Sequence, residues 1–152
     1  WGDTVVVGVM KDDTTRGTDA GSVRVFREVG SSWVQEAVIE PTTSGAETLF
    51  GRGAPIYGDT IVAGPYGGPH LTTVGSAYVF TRSAGVWSQQ ARLRPRAAPS
   101  DRAAFGRKVS IWGDLIAVGA MMEDGTACGI SGRVVCHADR CHSWNRRFCR
   151  TS

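Results

Sequence analysis

Residues 110–120 read SIWGDLIAVGA. An apolar pair runs into Gly113-Asp114, and a short run of Leu, Ile, Ala and Val then stops at Gly119-Ala120. Alone, this is a tight turn feeding a buried strand. The same pattern stands at residues 55–65, PIYGDTIVAGP, and at the start of the chain, WGDTVVVGV. The Gly-Asp pairs fall at Gly2-Asp3, Gly58-Asp59 and Gly113-Asp114, spacings of 56 and 55 residues. A fixed period of this kind is the signature of a repeat architecture and takes precedence over any local reading.

Three further landmarks recur in order. Gly21 to Phe26 (GSVRVF) is echoed by Gly75 to Phe80 (GSAYVF) and, more weakly, from Gly132 to His137. Trp33 in SSWVQEAVI is echoed by Trp87 in GVWSQQARL and by Trp144 in HSWNRRF. Phe50-Gly51 and Phe105-Gly106 each precede a Gly-Asp turn. In GRKVSIW (106–112), Lys108 and Ser110 alternate with Val109 and Ile111, the period of a half-buried strand. Gly113-Asp114 supplies a hairpin, glycine accepting positive φ and aspartate capping the turn. Leu115 to Val118 is apolar without alternation, which predicts a strand covered on both faces. Val23, Val25, Tyr78 and Phe80 mark a third strand, and the segments opening on Trp33 and Trp87 a fourth.

Each unit is therefore four antiparallel strands in about 55 residues, and units of that size predict β-propeller blades. The fold class is all-β: about eleven strands in about three blades, an incomplete propeller or a piece of one. The units are 1–49, lacking its first strand; 50–104, complete; and 105–152, divergent. Composition agrees. Among 152 residues, 41% are hydrophobic and 20 are glycine, enough for a core and for many tight turns.

These residues resemble the FG-GAP repeat family, whose units build the propeller of integrin alpha chains. The resemblance rests on Phe105-Gly106 followed by Val118-Gly119-Ala120, and on Phe50-Gly51 followed by Ala63-Gly64-Pro65. The match is closest to the microbial pattern FG…V…GD…VGA…GSVYVF…W and covers residues 1 to about 135. It implies a propeller for extracellular adhesion or protein association, without catalysis. Its repeat-defining residues here are Gly2, Asp3, Phe50, Gly51, Gly58, Asp59, Phe105, Gly106, Gly113, Asp114, Trp33 and Trp87. Integrin-type blades carry a calcium loop between their second and third strands. The corresponding segments here, 10–21, 65–75 and 121–132, lack the alternating acids that wrap a hard cation. Asp12, Asp13 and Asp19 are the weak candidates; a solvated loop that bonds its own backbone is the expectation, and no cofactor is expected.

The end of the chain departs from the pattern. All four cysteines, Cys128, Cys136, Cys141 and Cys149, lie there, with His137 and His142 among them. Cys-x4-Cys with adjacent histidines fits no usual zinc spacing, so disulfides are the better reading if the protein is extracellular. Arg133, Arg140, Arg146, Arg147 and Arg150 crowd this end of a chain whose net charge is +3. A solvated end, with no nucleic acid bound, is expected. No stretch of 18 apolar residues exists to span a membrane.

Nothing resembles an active site. His70 is the single histidine before the tail and sits in a Gly-Pro loop, PYGGPH lacks the lysine of a phosphate loop, and no G-x-S-x-G elbow occurs. The expectation is a non-enzymatic structural or adhesion module, extracellular or at the cell surface, its leader removed or outside this chain. Its partners are other blades of the same protein, copies of itself, or a cell-surface or matrix protein. The alternatives are a lectin-like propeller that binds a glycan or other ligand, or the accessory propeller of a larger secreted enzyme. A closed propeller needs at least four blades, so Val5, Val7 and Val118 are expected to face water at open blade faces.

Overall fold

The computed structural model describes residues 1–43, 48–65, 75–94, 105–120, 131–137 and 140–144. Among them there is no helix. The strands are β1 (Thr4–Val9), β2 (Ser22–Val29), β3 (Ser32–Ile39), β4 (Phe50–Gly53), β5 (Ile56–Tyr57), β6 (Thr60–Pro65), β7 (Ala77–Ser83), β8 (Val86–Leu93), β9 (Phe105–Trp112), β10 (Leu115–Ala120), β11 (Ser131–His137) and β12 (Arg140–Trp144). They form three antiparallel sheets ordered β1-β2-β3, β4-β6-β7-β8 with β5 also on β6, and β9-β10-β11-β12. The sheets are of propeller-blade type and do not close into a ring.

Local chemistry explains the strands. At each Gly-Asp turn the glycine alone takes positive φ (Gly2 55°, Gly58 55°, Gly113 54°), the type II′ pattern that suits a twisted hairpin. The first strand of the second sheet is split into β4 and β5 by Ala54-Pro55, whereas β9 runs unbroken. Proline has no N–H to give a ladder, but the Pro55 carbonyl still accepts from Val62 N at 3.1 Å. Counting β4 and β5 as one interrupted strand gives the eleven that the repeat predicts.

Side-chain alternation then builds two seams. In the first, Val23, Val25 and Ile39 meet Phe50, Ile61, Ala63, Tyr78 and Phe80 of the second sheet. In the second, Ala77, Val79 and Leu93 meet Phe105, Ile116 and Val118 of the third, with Val62 among them. The seams use the same positions one repeat apart: Phe50 becomes Phe105, Ile61 becomes Ile116 and Ala63 becomes Val118. Phe50 and Phe105 are fully or almost fully buried, and Phe50 meets Tyr78 edge-on with centroids 5.8 Å apart.

Backbone approaches backbone where the glycines lie. A Cβ on Gly8 would lie inside the Gly51 carbonyl oxygen, and one on Gly64 inside that of Gly106. Gly51 (φ 94°) and Gly106 (φ 90°) in turn face the carbonyl oxygens of Ser22 and Ser76. Phe50 N donates across the same seam to the Ala20 carbonyl at 2.9 Å. The Phe-Gly of one unit is thus held in a notch of glycine and serine backbone on the unit before it. Gly119 stands at the position of Gly8 and Gly64; among the described residues only Lys108, of its own sheet, is near it.

Three expectations change. Val118 is 2% exposed rather than open to water, because its period-2 neighbours Ile116 and Val118 point back at the second sheet. Val5 and Val7 hold the corresponding positions in the first sheet and are 42% and 43% exposed. Leu115 to Val118 is not covered on both faces, since Leu115 and Ala117 are exposed; the corresponding Ile61 to Ala63 of the middle sheet is. Trp144 is not in register with Trp33 and Trp87. It lies opposite Arg133, whereas Trp33 and Trp87 lie opposite Glu28 and Arg82. The slot opposite Val23 and Ala77, held by Ile39 and Leu93, is the one Trp144 takes.

Gly64→Ala should therefore destabilise far more than Gly58→Ala. The first forces a methyl group into the Gly106 backbone and is expected to cost about 3 kcal/mol or more, a Tm drop on the order of 10 °C. The second meets nothing within 4 Å and costs only the positive-φ penalty, about 1–2 kcal/mol. Thermal unfolding followed by circular dichroism measures both; equal losses would contradict the seam.

Candidate functional site

Two features concentrate chemistry: a charged bridge across the first seam and a row of aromatic rings beside the Gly-Asp turns. The bridge begins with a β-bulge. Val25 pairs with Ala37 and Phe26 with Gln35, so Glu36 is the extra residue of β3. A bulge re-aims a side chain. Glu36 reaches the second sheet, where its carboxylate accepts from Arg82 Nη1 at 3.1 Å and from Trp87 Nε1 at 3.0 Å. Arg82 also donates from Nε to Asp59 Oδ1 at 2.7 Å, and its guanidinium carbon lies 5.3 Å from the centre of the Trp87 ring. Arg82 and Glu36 are 15% and 14% exposed. Burial works against the Arg82 charge, yet hydrogen bonds to Asp59 and Glu36 raise its pKa further above the ordinary range. One residue from each of four strands or turns is held together here. The bridge fixes the angle between the sheets and has no group positioned for covalent chemistry.

The same bulge recurs at Gln90, between Val79 opposite Ala91 and Phe80 opposite Gln89. In the third sheet Val135 and Cys136 pair with His142 and Cys141 without a break, so the bulge is absent.

The aromatic row comes from the residue before each Gly-Asp: Trp1, Tyr57 and Trp112. Trp1 and Tyr57 have centroids 4.3 Å apart at 32°, and Tyr57 and Trp112 lie 5.4 Å apart at 57°. The outer rings are 55% and 72% exposed. The next residues but one are Asp3, Asp59 and Asp114. Asp3 accepts from Arg27 Nε and Thr4 Oγ1, both at 3.0 Å, and these bonds, Arg27 first, hold its carboxyl below the ordinary range. These aromatics lie just outside the Gly-Asp pair that marks the repeat in sequence. The signal was there three times at the repeat period.

Trp33 and Trp87, assigned alike from sequence, part company. Trp87 is packed into the bridge, while Trp33 is 49% exposed on the outward face of the first sheet.

The calcium candidates occupy a folded loop. Asp12 accepts from Ser22 Oγ at 2.5 Å and Arg24 Nη2 at 3.0 Å. Asp13 Oδ1 accepts from Asp19 N at 2.9 Å, and Asp19 itself has φ of 51°. Thr14 and Gly17 form an isolated bridge. Asp12, Asp13 and Asp19 do not converge, and among the described residues no group of three His, Cys, Asp or Glu side chains gathers to hold a metal. The other two loops compared for calcium lie largely outside the described residues, as do Cys128, Cys149 and His70. The backbone sets Cys136 directly opposite Cys141.

A family model for the FG-GAP repeat matches residues 87–134, from the start of β8 to the middle of β11. No curated protein and no solved structure matches the chain.

Two measurements test this geometry. In a double-mutant cycle, Glu36→Gln and Arg82→Met should show coupling of at least about 1 kcal/mol in unfolding free energy, as groups in one buried network do. Asp12 has its pKa lowered from 3.8, by the Ser22 hydrogen bond first and Arg24 after it. Its stabilisation is present above that value and lost as pH falls through the lower folded-state value. Asp12→Asn should therefore destabilise near neutral pH and leave a shallower loss of stability on acidification, read from denaturant midpoints across the acid range.

Proposed function

We propose that this chain, an FG-GAP repeat protein, is a non-catalytic association module working outside the cell, where it joins proteins blade face to blade face. FG-GAP repeats are generally non-catalytic, and they build β-propeller-type modules for protein–protein interaction. The extracellular setting is supported by the resemblance to integrin-type units and by four cysteines near the end of the chain.

The observation that carries the reading is a contrast between matched positions. In the second sheet, Ile61 and Ala63 are fully buried against the first. In the first sheet, Val5, Val7, Trp33 and Val38 take the corresponding face and are 42%, 43%, 49% and 46% exposed. Four large apolar side chains exposed together on one sheet face support reading it as a binding surface. The partner that fits is another blade of this repeat type, elsewhere in the same protein, in a copy of this chain, or in a protein built of similar units. Charge refines the fit. Glu28 stands in the first sheet where Arg82 stands in the second: each donates its backbone N–H at 2.8 Å to the carbonyl of its Gly-Asp aspartate. The partner blade should therefore carry a cation where Glu36 stands here.

Analytical ultracentrifugation tests this. Wild-type chain should associate as its concentration rises, and Val7→Asp or Trp33→Asp should weaken association at least tenfold. Glu28→Arg should weaken it as well and leave the melting temperature within a few degrees. A monomer of 16.2 kDa at every concentration, with no partner blade captured by the Val5–Val7 face, would overturn the proposal.

A further inference from the structure

We infer that the Trp1–Tyr57–Trp112 row is a binding site for a neutral pyranose-containing glycan, with the outer face of the Trp112 indole as its main platform. Blade-face association uses a different set of residues on this chain, Trp33 and the Val5–Val7 side of the first sheet.

The first support is exposure. A tryptophan carries more apolar surface than almost any residue and is normally well covered. Trp112 is 72% exposed although it is held in place by the end of β9, by the Gly113 turn, and by Tyr57 at 5.4 Å. Tyr57 is in turn backed by Trp1 at 4.3 Å. The ring is thus presented to solvent by a row of tilted rings. Each ring sits one glycine before an aspartate, so every turn that carries a ring also carries a hydrogen-bond acceptor.

The second support is charge, which selects the ligand class. Three carboxylates in a row repel phosphates and so disfavour nucleic acid. They would attract a cationic peptide, but two of them already hold an arginine: Asp3 pairs with Arg27 at 3.0 Å, and Asp59 with Arg82 at 2.7 Å, an arginine it shares with Glu36. A paired carboxylate keeps lone pairs free for hydroxyl donors, and Arg27, half exposed, keeps N–H groups free for hydroxyl acceptors. Flat aromatic faces in the same turns as paired donors and acceptors match a sugar ring, which has an apolar C–H face and hydroxyls around its rim. A purely apolar partner would leave those polar groups unmatched.

Tryptophan fluorescence titrations with cellohexaose, xylohexaose, mannohexaose and chitohexaose test the site. At least one should give a saturable change, with Kd in the micromolar to low millimolar range typical of a small exposed site, about −4 to −8 kcal/mol. Trp112→Ala should weaken that Kd about tenfold or more, Trp112→Phe should restore most of the affinity, and Trp33→Ala should leave it unchanged. Since Trp112 is exposed, its variants should melt close to wild type. No saturable change with any of the four sugars, or binding indifferent to Trp112→Ala, would overturn the inference. Tighter binding of a lysine-rich peptide than of every glycan would also overturn it, and would assign the row to a protein ligand.

Discussion

The structure depends on how closely two backbones approach. At both seams the Phe-Gly of one sheet reaches the Gly strand of the sheet before it so tightly that no Cβ fits between them. That approach lets a phenylalanine enter the shared core at Phe50 and again at Phe105, each buried among apolar side chains from two sheets. It also lets Phe50 N find a carbonyl in the neighbouring unit. Hydrophobic burial supplies the driving force, but it is non-directional. The glycine contacts turn general stickiness into one defined arrangement, because any other spacing would open a gap or force a clash.

The polar bridge adds orientation to that spacing. A buried guanidinium with two carboxylates and a tryptophan is not a strong source of net stability, since desolvation offsets much of the attraction. It does penalise misalignment: if the second sheet slid, Arg82 would lose Glu36 and stay buried. The bulge at Glu36 makes this possible by turning a carboxylate that regular alternation would have placed elsewhere. Gln90 keeps the bulge without the charge. The two seams therefore share a hydrophobic design and differ in their polar one.

Much of this was legible in the sequence. The period near 55 residues, the Gly-Asp hairpins and the strand order within a unit all follow from motifs whose chemistry is local. What escaped was relational. Leu115 to Val118 reads as uniformly apolar, yet which half faces a neighbour depends on where the neighbouring sheet lies, and Ile116 and Val118 are buried while Leu115 and Ala117 are not. Trp33 and Trp87 are alike in sequence and differ in exposure for the same reason. Trp144 was misaligned because a missing bulge and a shorter hairpin shift β12, neither of which leaves a compositional trace. The aromatic row could have been read, since an aromatic precedes every Gly-Asp. That the three rings touch follows only from sheets packed in series.

The two faces of a sheet in this chain are not alike. The middle sheet shows Tyr78 and Phe80 to the sheet before it and Ala77, Val79 and Leu93 to the sheet after it. One side is aromatic and carries the arginine, and the other is aliphatic and carries the glycine notch. Such a body has a head and a tail. A twofold pairing would not repeat the seam, because a face set against its own copy would put aromatic on aromatic and leave both notches empty. A contact that repeats the two seams is heterologous, and blades added through it all follow one direction. The asymmetry of one blade thus fixes the polarity of any assembly built from it.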